Sequence, residues 1–423
     1  MIQDSNIAKY YHYLIGFCAF IVGAYSKWIL VGLIPLMLCA LIGWRKGEFQ
    51  FHSRWIQWSW TIIYFFYVIM TILNWDDDLG PQQIEYKLSW FIFPLLFSLY
   101  PRFKFEKKGL VIGLTLGVLL ASILGIAKAI QACITIGVTL TSYTSSNICI
   151  NHPTYFSATA TIALILIIEN WNQPFITQFP KYIKFITIGF ITTMILLSFS
   201  MAGFLYIATL GALSAIYIFL KKETPKRTKL LLLVLPLIFI GAIAKNEFII
   251  GEFNNTRAAV IDYVANPALF ISKKQQSQNG DEVRLIMWTA TFLEIMDHPW
   301  GVAPTKTGEH LGERLEQLNQ PEMAKRNGKG EVHYNPHNQY LQMALEIGWI
   351  PAILFLFVLG YLFFIGINSN KLSLSAITLL LGFHCLFESI LQRQSGIVTF
   401  TFFITVMVMS IFLQQDKTEE DVA

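Results

Sequence analysis

The sequence predicts an all-α, polytopic membrane protein of about 12 transmembrane helices with a helical periplasmic segment. The first observation is composition: 54% of the 423 residues are hydrophobic and only 14% are charged, whereas soluble domains carry about 25% charged residues. The second is that the apolar residues form blocks of about 18 to 28, long enough to cross a hydrocarbon core of about 30 Å. The third is that Lys and Arg are concentrated in short loops between these blocks, which argues against nucleic-acid binding.

The apolar blocks define the predicted spans. They are residues 11–26, 28–44, 55–73, 88–100, 110–134, 153–170, 183–199, 202–220, 230–244, 349–367, 372–390 and 396–413. As one helix, 183–220 would be about 57 Å long, too long for a single crossing. The small residues between Ser200 and Gly203 favour a break there, so we predict two helices. The block 88–100 is short and contains Pro94.

Loop charge orients the spans. The loops after spans two, four, six, eight and ten hold most of the cations: Arg45, Lys46, Arg54, Arg102, Lys104, Lys107, Lys108, Lys181, Lys184, Lys221, Lys222, Lys226, Arg227, Lys229 and Lys371. The positive-inside rule places these loops and both termini in the cytoplasm. The intervening loops are poorer in cations, and the loop after span three is acidic, with Asp76, Asp77 and Asp78.

The predicted topology divides the chain into three parts. Residues 1–244 hold transmembrane helices 1–9, residues 245–336 form a large periplasmic helical segment (the outer segment), and residues 337–423 hold transmembrane helices 10–12 and a cytoplasmic tail. Within the outer segment, helices are predicted over 254–272, over 281–297, where Pro299 ends the helix, and over the amphipathic stretch 308–326.

The five cysteines lie in or beside apolar blocks, outside the outer segment: Cys18, Cys39, Cys133, Cys149 and Cys385. The sequence has no CxxC pair and no Cys/His spacing typical of a metal site. Neither a disulfide framework nor a zinc site is therefore predicted.

His337 is the first candidate for chemistry. Asn335 is a good N-cap and Pro336 a good first helical residue, so His337 is predicted in the first turn of a helix that leads into span ten. The free N–H groups of such a helix start suit a diphosphate, and a histidine there can accept a proton near neutral pH. The alternative is that His337 only caps or packs the helix start.

The other candidates are charged residues near the same predicted surface. If Asp281 is an N-cap, Arg284 lies in the first turn, where the helix dipole disfavours a cation unless an anion is near. A salt bridge from Arg284 to Asp281 or Glu282 is the structural alternative. Glu388 and Arg393, between spans eleven and twelve, either pair, face a polar cavity or serve as interfacial anchors. Arg257 and His152 are weaker candidates.

Taken together, these pieces resemble the O-antigen ligase and O-antigen polymerase superfamily, with lipopolysaccharide O-antigen ligases the nearest type. Residues 336–341 (Pro-His-Asn-Gln-Tyr-Leu), followed by Glu346, Gly348 and a span, resemble the family's His-Asn-x-x-Leu element at the end of its large periplasmic loop. Arg284 and Trp288, followed by 298–302 (His-Pro-Trp-Gly-Val), resemble the element that opens the second half of that loop.

Two further stretches bear on the resemblance. Residues 388–396 resemble the last periplasmic turn of some relatives. Many relatives carry Ser-Arg-Gly between the two central helices, where an arginine is implicated in binding the donor's phosphates. Here Met201 stands at that position. The resemblance then requires another cation, and the candidates are Arg257, Arg393 and Lys245.

The resemblance implies a GT-C-like glycosyltransferase of the bacterial inner membrane. It would move a glycan from undecaprenyl diphosphate to a lipid A–core sugar hydroxyl on the periplasmic face, with inversion and without a metal or other cofactor. His337 would be the catalytic base, and Arg284, Arg257 and Arg393 would bind the diphosphate. Asn338, Tyr340 and Glu388 would support them.

Three alternatives remain open at this point. A repeat-unit polymerase and a protein O-oligosaccharyltransferase of the same superfamily use the same donor chemistry and differ in the acceptor. A transporter or flippase is the non-enzyme alternative. It predicts inverted repeats and charges near the bilayer midplane. No repeat is evident in the sequence, although His384 and Glu388 are compatible with transport.

Overall fold

The computed structural model describes residues 6–52, 54–137, 149, 152–198, 200–220, 247–273, 280–328 and 334–422. The predicted span 230–244, the basic loop 221–229 and Lys245 lie outside these ranges. The described part is almost entirely helical and includes several helices that are long and apolar enough to cross a membrane. The predicted class, an all-α polytopic membrane protein, is confirmed.

The helices are bounded as follows. They are α1 (Asn6–Tyr25), α2 (Ile29–Arg45), α3 (Trp55–Leu73), α4 (Leu79–Lys87), α5 (Ser89–Phe97), α6 (Lys108–Ile136), α7 (Pro153–Glu169), α8 (Pro174–Thr177), α9 (Lys181–Leu197), α10 (Met201–Leu220), α11 (Glu247–Ala265), α12 (Pro267–Lys273), α13 (Gly280–Asp297), α14 (Thr307–Gln317), α15 (Pro321–Gly328), α16 (Gln339–Ile347), α17 (Trp349–Asn368), α18 (Leu372–His384) and α19 (Gln394–Val422). Two 3-10 turns occupy Ser26–Trp28 and Ile390–Gln392.

Five stretches of the described residues qualify as candidate spans by length and composition: Asn6–Arg45, Trp55–Leu73, Lys108–Thr135, Trp349–Asn368 and Gln394–Leu413. Shorter apolar helices cover Pro153–Glu169, Ala202–Gly211 and Leu372–His384. The first stretch contains both α1 and α2, which are separated at Ser26–Trp28. The total of about twelve crossings stays a prediction.

α1 and α6 pack closely through glycines. A Cβ atom built on Gly113 would lie 2.0 Å from the carbonyl oxygen of Gly16, and one on Gly117 would lie 2.2 Å from that of Phe20. Small residues allow such backbone approach between membrane helices, where packing rather than hydrophobic burial drives association. The two helices therefore pack backbone against backbone.

A two-stranded antiparallel sheet is the feature that the sequence did not predict. β1 (Phe49–Phe51) pairs with β2 (Leu99–Pro101), with Gln50 opposite Tyr100. The strands lie in the loops after α2 and α5, so the sheet joins two loops that were predicted to share one side of the membrane.

Three predicted span boundaries are tested by the helix limits. The break between 183–199 and 202–220 is confirmed, since α9 ends at Leu197 and α10 begins at Met201. The span 88–100 is wrong in its bounds. α5 has 9 residues, which cover only about 13 Å, and a second helix, α4, precedes it. The span 372–390 is also too long, because α18 ends at His384.

Two of the three helices predicted in the outer segment are broken in the structure. The stretch 254–272 divides into α11 and α12 because Pro267 starts a new helix. The stretch 308–326 divides into α14 and α15, since Asn319 adopts a left-handed conformation (φ +58°) and Pro321 follows. The helix predicted over 281–297 is confirmed as α13, with Pro299 after it.

A turn of the outer segment stacks directly on the junction of α16 and α17. Gly301 and Gly348 both have positive φ (+89° and +88°), and a Cβ on Gly348 would lie 2.8 Å from the carbonyl carbon of Trp300. Only glycine suits such a conformation and approach. The N–H of Val302 donates to the carbonyl of Leu345 at 2.8 Å. The turn thus fixes the outer segment to α16, the helix that His337 precedes.

Candidate active site

His337 and Glu388 form a hydrogen-bonded pair. Nδ1 of His337 lies 3.1 Å from Oε2 of Glu388, and the two side chains are 31% and 20% exposed. Because a carboxylate can only accept, Nδ1 carries the proton, and Nε2 is the basic nitrogen of a neutral imidazole. The pair is half-buried but open to solvent, so it can meet a substrate.

The residue before α16 differs from the sequence prediction. Asn338, not Asn335, is the N-cap: its side chain accepts hydrogen bonds from the N–H groups of Tyr340 (3.0 Å) and Leu341 (3.1 Å). His337 therefore lies before the helix rather than in its first turn, with φ at +45°. Asn335 has another role, since its Oδ1 accepts from the N–H of His337 at 2.8 Å.

The first four N–H groups of α16 all have hydrogen-bond partners within the protein. The N–H of Gln339 donates to the carbonyl of Cys385 at 2.8 Å, those of Tyr340 and Leu341 are bound by Asn338, and that of Gln342 closes the first turn. The expectation that these N–H groups hold a diphosphate is therefore wrong. An anion at this surface must be bound by side-chain cations.

The segment after α18 places Glu388 beside His337. Asn338 Nδ2 donates to the carbonyl of Leu386 (3.2 Å), and the N–H of Leu391 donates to Oε1 of Gln339 (2.8 Å). Because α18 ends at His384, Glu388 lies in a turn rather than on a helix face, which frees it to reach the other loop. The predicted span 372–390 included Glu388, so the sequence did not predict this pairing.

His152 lies close enough to feel the charges of Arg393, Glu388 and His337. His152 is the residue before α7, and its pKa is lowered first by burial and then by the charge of Arg393, against the opposing charge of Glu388. Burial raises the pKa of Glu388, but its hydrogen bond to His337 and the charges of His337, His384 and His152 together bring it below the ordinary value. Arg393 itself is exposed.

Arg284 and Arg257 occupy a second position, at the start of α13. Nη1 of Arg284 lies 3.4 Å from Oδ1 of Asp281, the salt bridge that was the structural alternative. Thr256 of α11 donates to the same carboxylate, and Arg257, next to it, is exposed. The contacts among the described residues join neither arginine to His337.

Trp288 connects the two positions. It lies one turn after Arg284 on α13, and its Nε1 donates to the carbonyl of Pro336. The helix that carries Arg284 is thus anchored to the loop that carries His337. Trp288 thus adds to the contact that the turn at Gly301 makes between the outer segment and α16.

A buried polar cluster beneath the site was missed by the sequence analysis. Lys87 is fully buried, and its Nζ donates to Oε1 of Gln83 (3.1 Å) and Oε1 of Gln392 (3.3 Å). Gln392 in turn donates to Oε2 of Glu346 at 2.7 Å. Lys87 precedes a predicted span and looked like an ordinary loop cation. The position of Lys87 at the edge of an apolar block was the one sign of this cluster in the sequence.

An apolar pocket of about 300 Å³ lies between α17 and α18, below the site. Its lining includes Leu359, Phe363 and Leu386, with Tyr340 at one end. The hydroxyl of Tyr340 donates to the carbonyl of Gly382 at 2.8 Å, so its ring forms part of the pocket wall. Tyr340, which was predicted as a supporting residue, therefore lines the pocket.

The protein is thus a multi-pass helical membrane protein with a histidine–carboxylate pair where its outer segment meets the helix bundle. Residues 186–356 match the family model described as O-antigen ligase. Over this part of the chain the match supports the O-antigen ligase superfamily, and it suggests a membrane glycosyltransferase of the ligase or polymerase type. His337 and Arg284 lie inside the matched range, whereas Glu388 and Arg393 lie beyond it. No curated protein matches the chain significantly.

Proposed function

We propose that this protein is an O-antigen ligase that moves a glycan from undecaprenyl diphosphate to a sugar hydroxyl of lipid A–core, on the periplasmic face of the bacterial inner membrane. The His337–Glu388 pair carries the proposal, because it offers a general base at a membrane surface. The superfamily match supports a lipid-linked glycan donor and a lipid-anchored acceptor.

In the proposed reaction His337 acts through Nε2. The acceptor hydroxyl loses its proton to Nε2 as its oxygen bonds to the anomeric carbon, and the bond from that carbon to the diphosphate oxygen breaks. Glu388, on Nδ1, orients the ring and stabilises the imidazolium that forms, as the carboxylate does in a catalytic triad. Direct displacement gives inversion, and undecaprenyl diphosphate leaves with the donor's electron pair.

The leaving diphosphate needs positive charge, and we assign Arg393 to it. Arg393 is exposed and shares the field of Glu388 and His152, whereas the charge of Arg284 is already paired with Asp281. Guanidinium groups bind phosphate oxygens in a bidentate manner, which suits a group whose charge grows in the transition state. Arg393 would thus replace the arginine that relatives carry at the position of Met201.

The apolar pocket below Tyr340 supports a lipid-linked donor. It is lined by apolar side chains of α17 and α18 and ends at Leu386, two residues before Glu388. An isoprenoid segment in this pocket would be removed from water together with the pocket wall, while its diphosphate remained at the polar surface. This arrangement would hold the anomeric carbon near His337.

The test is complementation of a ligase-null strain, with lipopolysaccharide resolved on a gel. Wild-type protein should restore long-chain lipopolysaccharide, and His337→Ala should insert and fold but restore none. Glu388→Gln should lower transfer by about 100-fold, because the histidine loses its orienting charge. His12→Ala is the matched control, since it removes an imidazole in α1, beside Glu106 and away from the pair.

Three outcomes decide the proposal. Full transfer by His337→Ala would remove this residue from the mechanism. Failure of the wild-type protein to restore long-chain lipopolysaccharide, with restored repeat-unit elongation in a polymerase-null strain, would identify a polymerase instead. Glycan transfer to a secreted protein in the same cells would identify a protein O-oligosaccharyltransferase.

A further inference from the structure

A cluster of potential metal ligands lies in the outer segment, at the end of α13 and on α14. Oε1 of Glu294 is 2.9 Å from Nδ1 of His310 and 3.2 Å from Nε2 of His298. The candidate ligand atoms of the three residues lie within 4.8 Å of one another, and the two imidazole rings are 4.9 Å apart at their centroids. Two nitrogens and one oxygen therefore converge on one point.

Glu294 is held in place by charged neighbours. Oε2 of Glu294 accepts from Nε of Arg314 at 2.9 Å, so Oε1 alone faces the imidazoles. Arg314 is itself held by Asp297. Carboxylate ligands of metals are oriented in this way by hydrogen-bonded partners. Glu294 is only 5% exposed, whereas His298 is 46% and His310 30% exposed, so an ion can enter from solvent.

We propose that Glu294, His298 and His310 bind a Zn²⁺ ion. Two imidazoles and one carboxylate are a ligand set that zinc favours, with water in the fourth position. Binding replaces the protons that otherwise join the imidazoles to Glu294 and brings each ligand atom to about 2.0–2.2 Å from the ion. The proposal is independent of glycan transfer, for which no metal is invoked.

The position of the cluster gives the ion a structural role. His298 follows α13 directly and precedes the turn 299–303 that stacks on Gly348, while His310 belongs to α14. An ion bound by residues before and after this turn would restrain it. The zinc would therefore stabilise the contact between the outer segment and α16.

The experiment is a zinc titration by calorimetry of the full-length, metal-free protein in detergent. We expect one Zn²⁺ per chain, and at least about tenfold weaker binding in His298→Ala and in His310→Ala. His337→Ala is the matched control, since it also removes an imidazole beside a carboxylate, and it should bind zinc as the wild type does. Zinc should raise the thermal unfolding midpoint of the wild type but not of His298→Ala.

The absence of zinc binding by the wild type would overturn the proposal. So would binding that His337→Ala abolishes and His298→Ala preserves, because the ion would then lie at the His337–Glu388 pair. His298 is half-exposed, so its variant is expected to fold, and the unfolding midpoint without zinc reports whether it does. The assay contains no glycan, so its result does not depend on the proposed transferase function.

Discussion

At the scale of single residues, His337 depends on its neighbours for its conformation. A left-handed backbone costs a non-glycine residue about 1–3 kcal/mol, so surrounding contacts must impose it. Asn335 accepts from the N–H of His337, Asn338 caps the following helix, and Trp288 holds the carbonyl of Pro336. Strain imposed in this way is typical of functional sites, and here it aims the imidazole at Glu388.

Arg393 and Arg284 are distinguished by their surroundings. Arg393→Gln should lower glycan transfer by about 100-fold, because Arg393 is the exposed cation that we assign to the diphosphate, and its charge acts on His152 as do those of Glu388 and His337. Arg284→Gln should cost less, since Asp281 already neutralises this charge. Transfer to lipid A–core in membranes measures both.

Arg102→Gln is the control for these variants, because Arg102 is an exposed arginine beside β2, on the loop that precedes α6. It should leave transfer unchanged. A larger loss in Arg284→Gln than in Arg393→Gln would place the diphosphate beside α13 instead.

His152 gives the protein a predictable acid sensitivity. Burial and the charge of Arg393 lower its pKa in the folded protein, so the unfolded chain binds the proton more readily. Stability should therefore fall as the pH drops below the unfolded value of about 6.5. His152→Asn keeps a good helix N-cap and removes the titration, so its stability should fall less.

The measurement is the thermal unfolding midpoint of wild type and His152→Asn, from about pH 8 to about pH 5. The difference between the two curves isolates His152 from other titrating groups. Parallel curves over this range would show that His152 is not the source of the acid sensitivity.

At the scale of elements, the cluster of Lys87 and Glu346 joins α4 to α16 and to the 3-10 turn Ile390–Gln392. Gln392 accepts from Lys87 and donates to Glu346, while Gln342 donates to the other carboxylate oxygen at 2.9 Å. Arg393 follows Gln392 directly. The cluster therefore positions both the end of α16 and the segment that carries Glu388 and Arg393.

Lys87→Met alone should destabilise the protein, because the buried carboxylate of Glu346 then loses the cation that is joined to it through Gln392. Lys87→Met combined with Glu346→Gln should recover most of that loss. Thermal unfolding in detergent measures the stability of each variant. Equal losses in the single and double variants would show that the two charges do not interact.

At the scale of the whole molecule, contacts group the loops at two ends of the bundle. The sheet joins the loops after α2 and α5, and Lys107 before α6 lies 3.4 Å from Glu169 at the end of α7. Glu169 also accepts from the N–H of Ser373 at the start of α18. At the other end, Thr305 of the outer segment donates to the carbonyl of Asn74, after α3.

Sidedness can be tested with reporters, because the basic end should face the cytoplasm by the positive-inside rule. A fluorescent protein fused after Ala423 should fluoresce, and alkaline phosphatase inserted after Gly328 should be active. The opposite pair of results would invert the topology and place the His337–Glu388 pair in the cytoplasm, which would contradict the proposed reaction on the periplasmic face.

The sequence by itself determined the membrane class, most helices and the identity of His337 as the leading candidate. These follow from apolar block length and from the local motif around residues 336–341, which depend on neighbours along the chain. Local sequence alone did not determine where each helix begins. The sequence predicted Asn335 as the N-cap of the helix after His337, whereas Asn338 caps it, and the N–H of Gln339 bonds to the distant carbonyl of Cys385.

The tertiary structure alone decided which charged groups meet. Glu388 reaches His337 across 51 positions, Lys87 reaches Gln392 across 305, and Glu294 meets His310 across 16. A sequence pattern cannot specify such pairs, because an electrostatic partner is set by distance in space and by burial, not by spacing along the chain. The packing of α13, α16 and the segment after α18 fixes those distances, and with them the candidate active site.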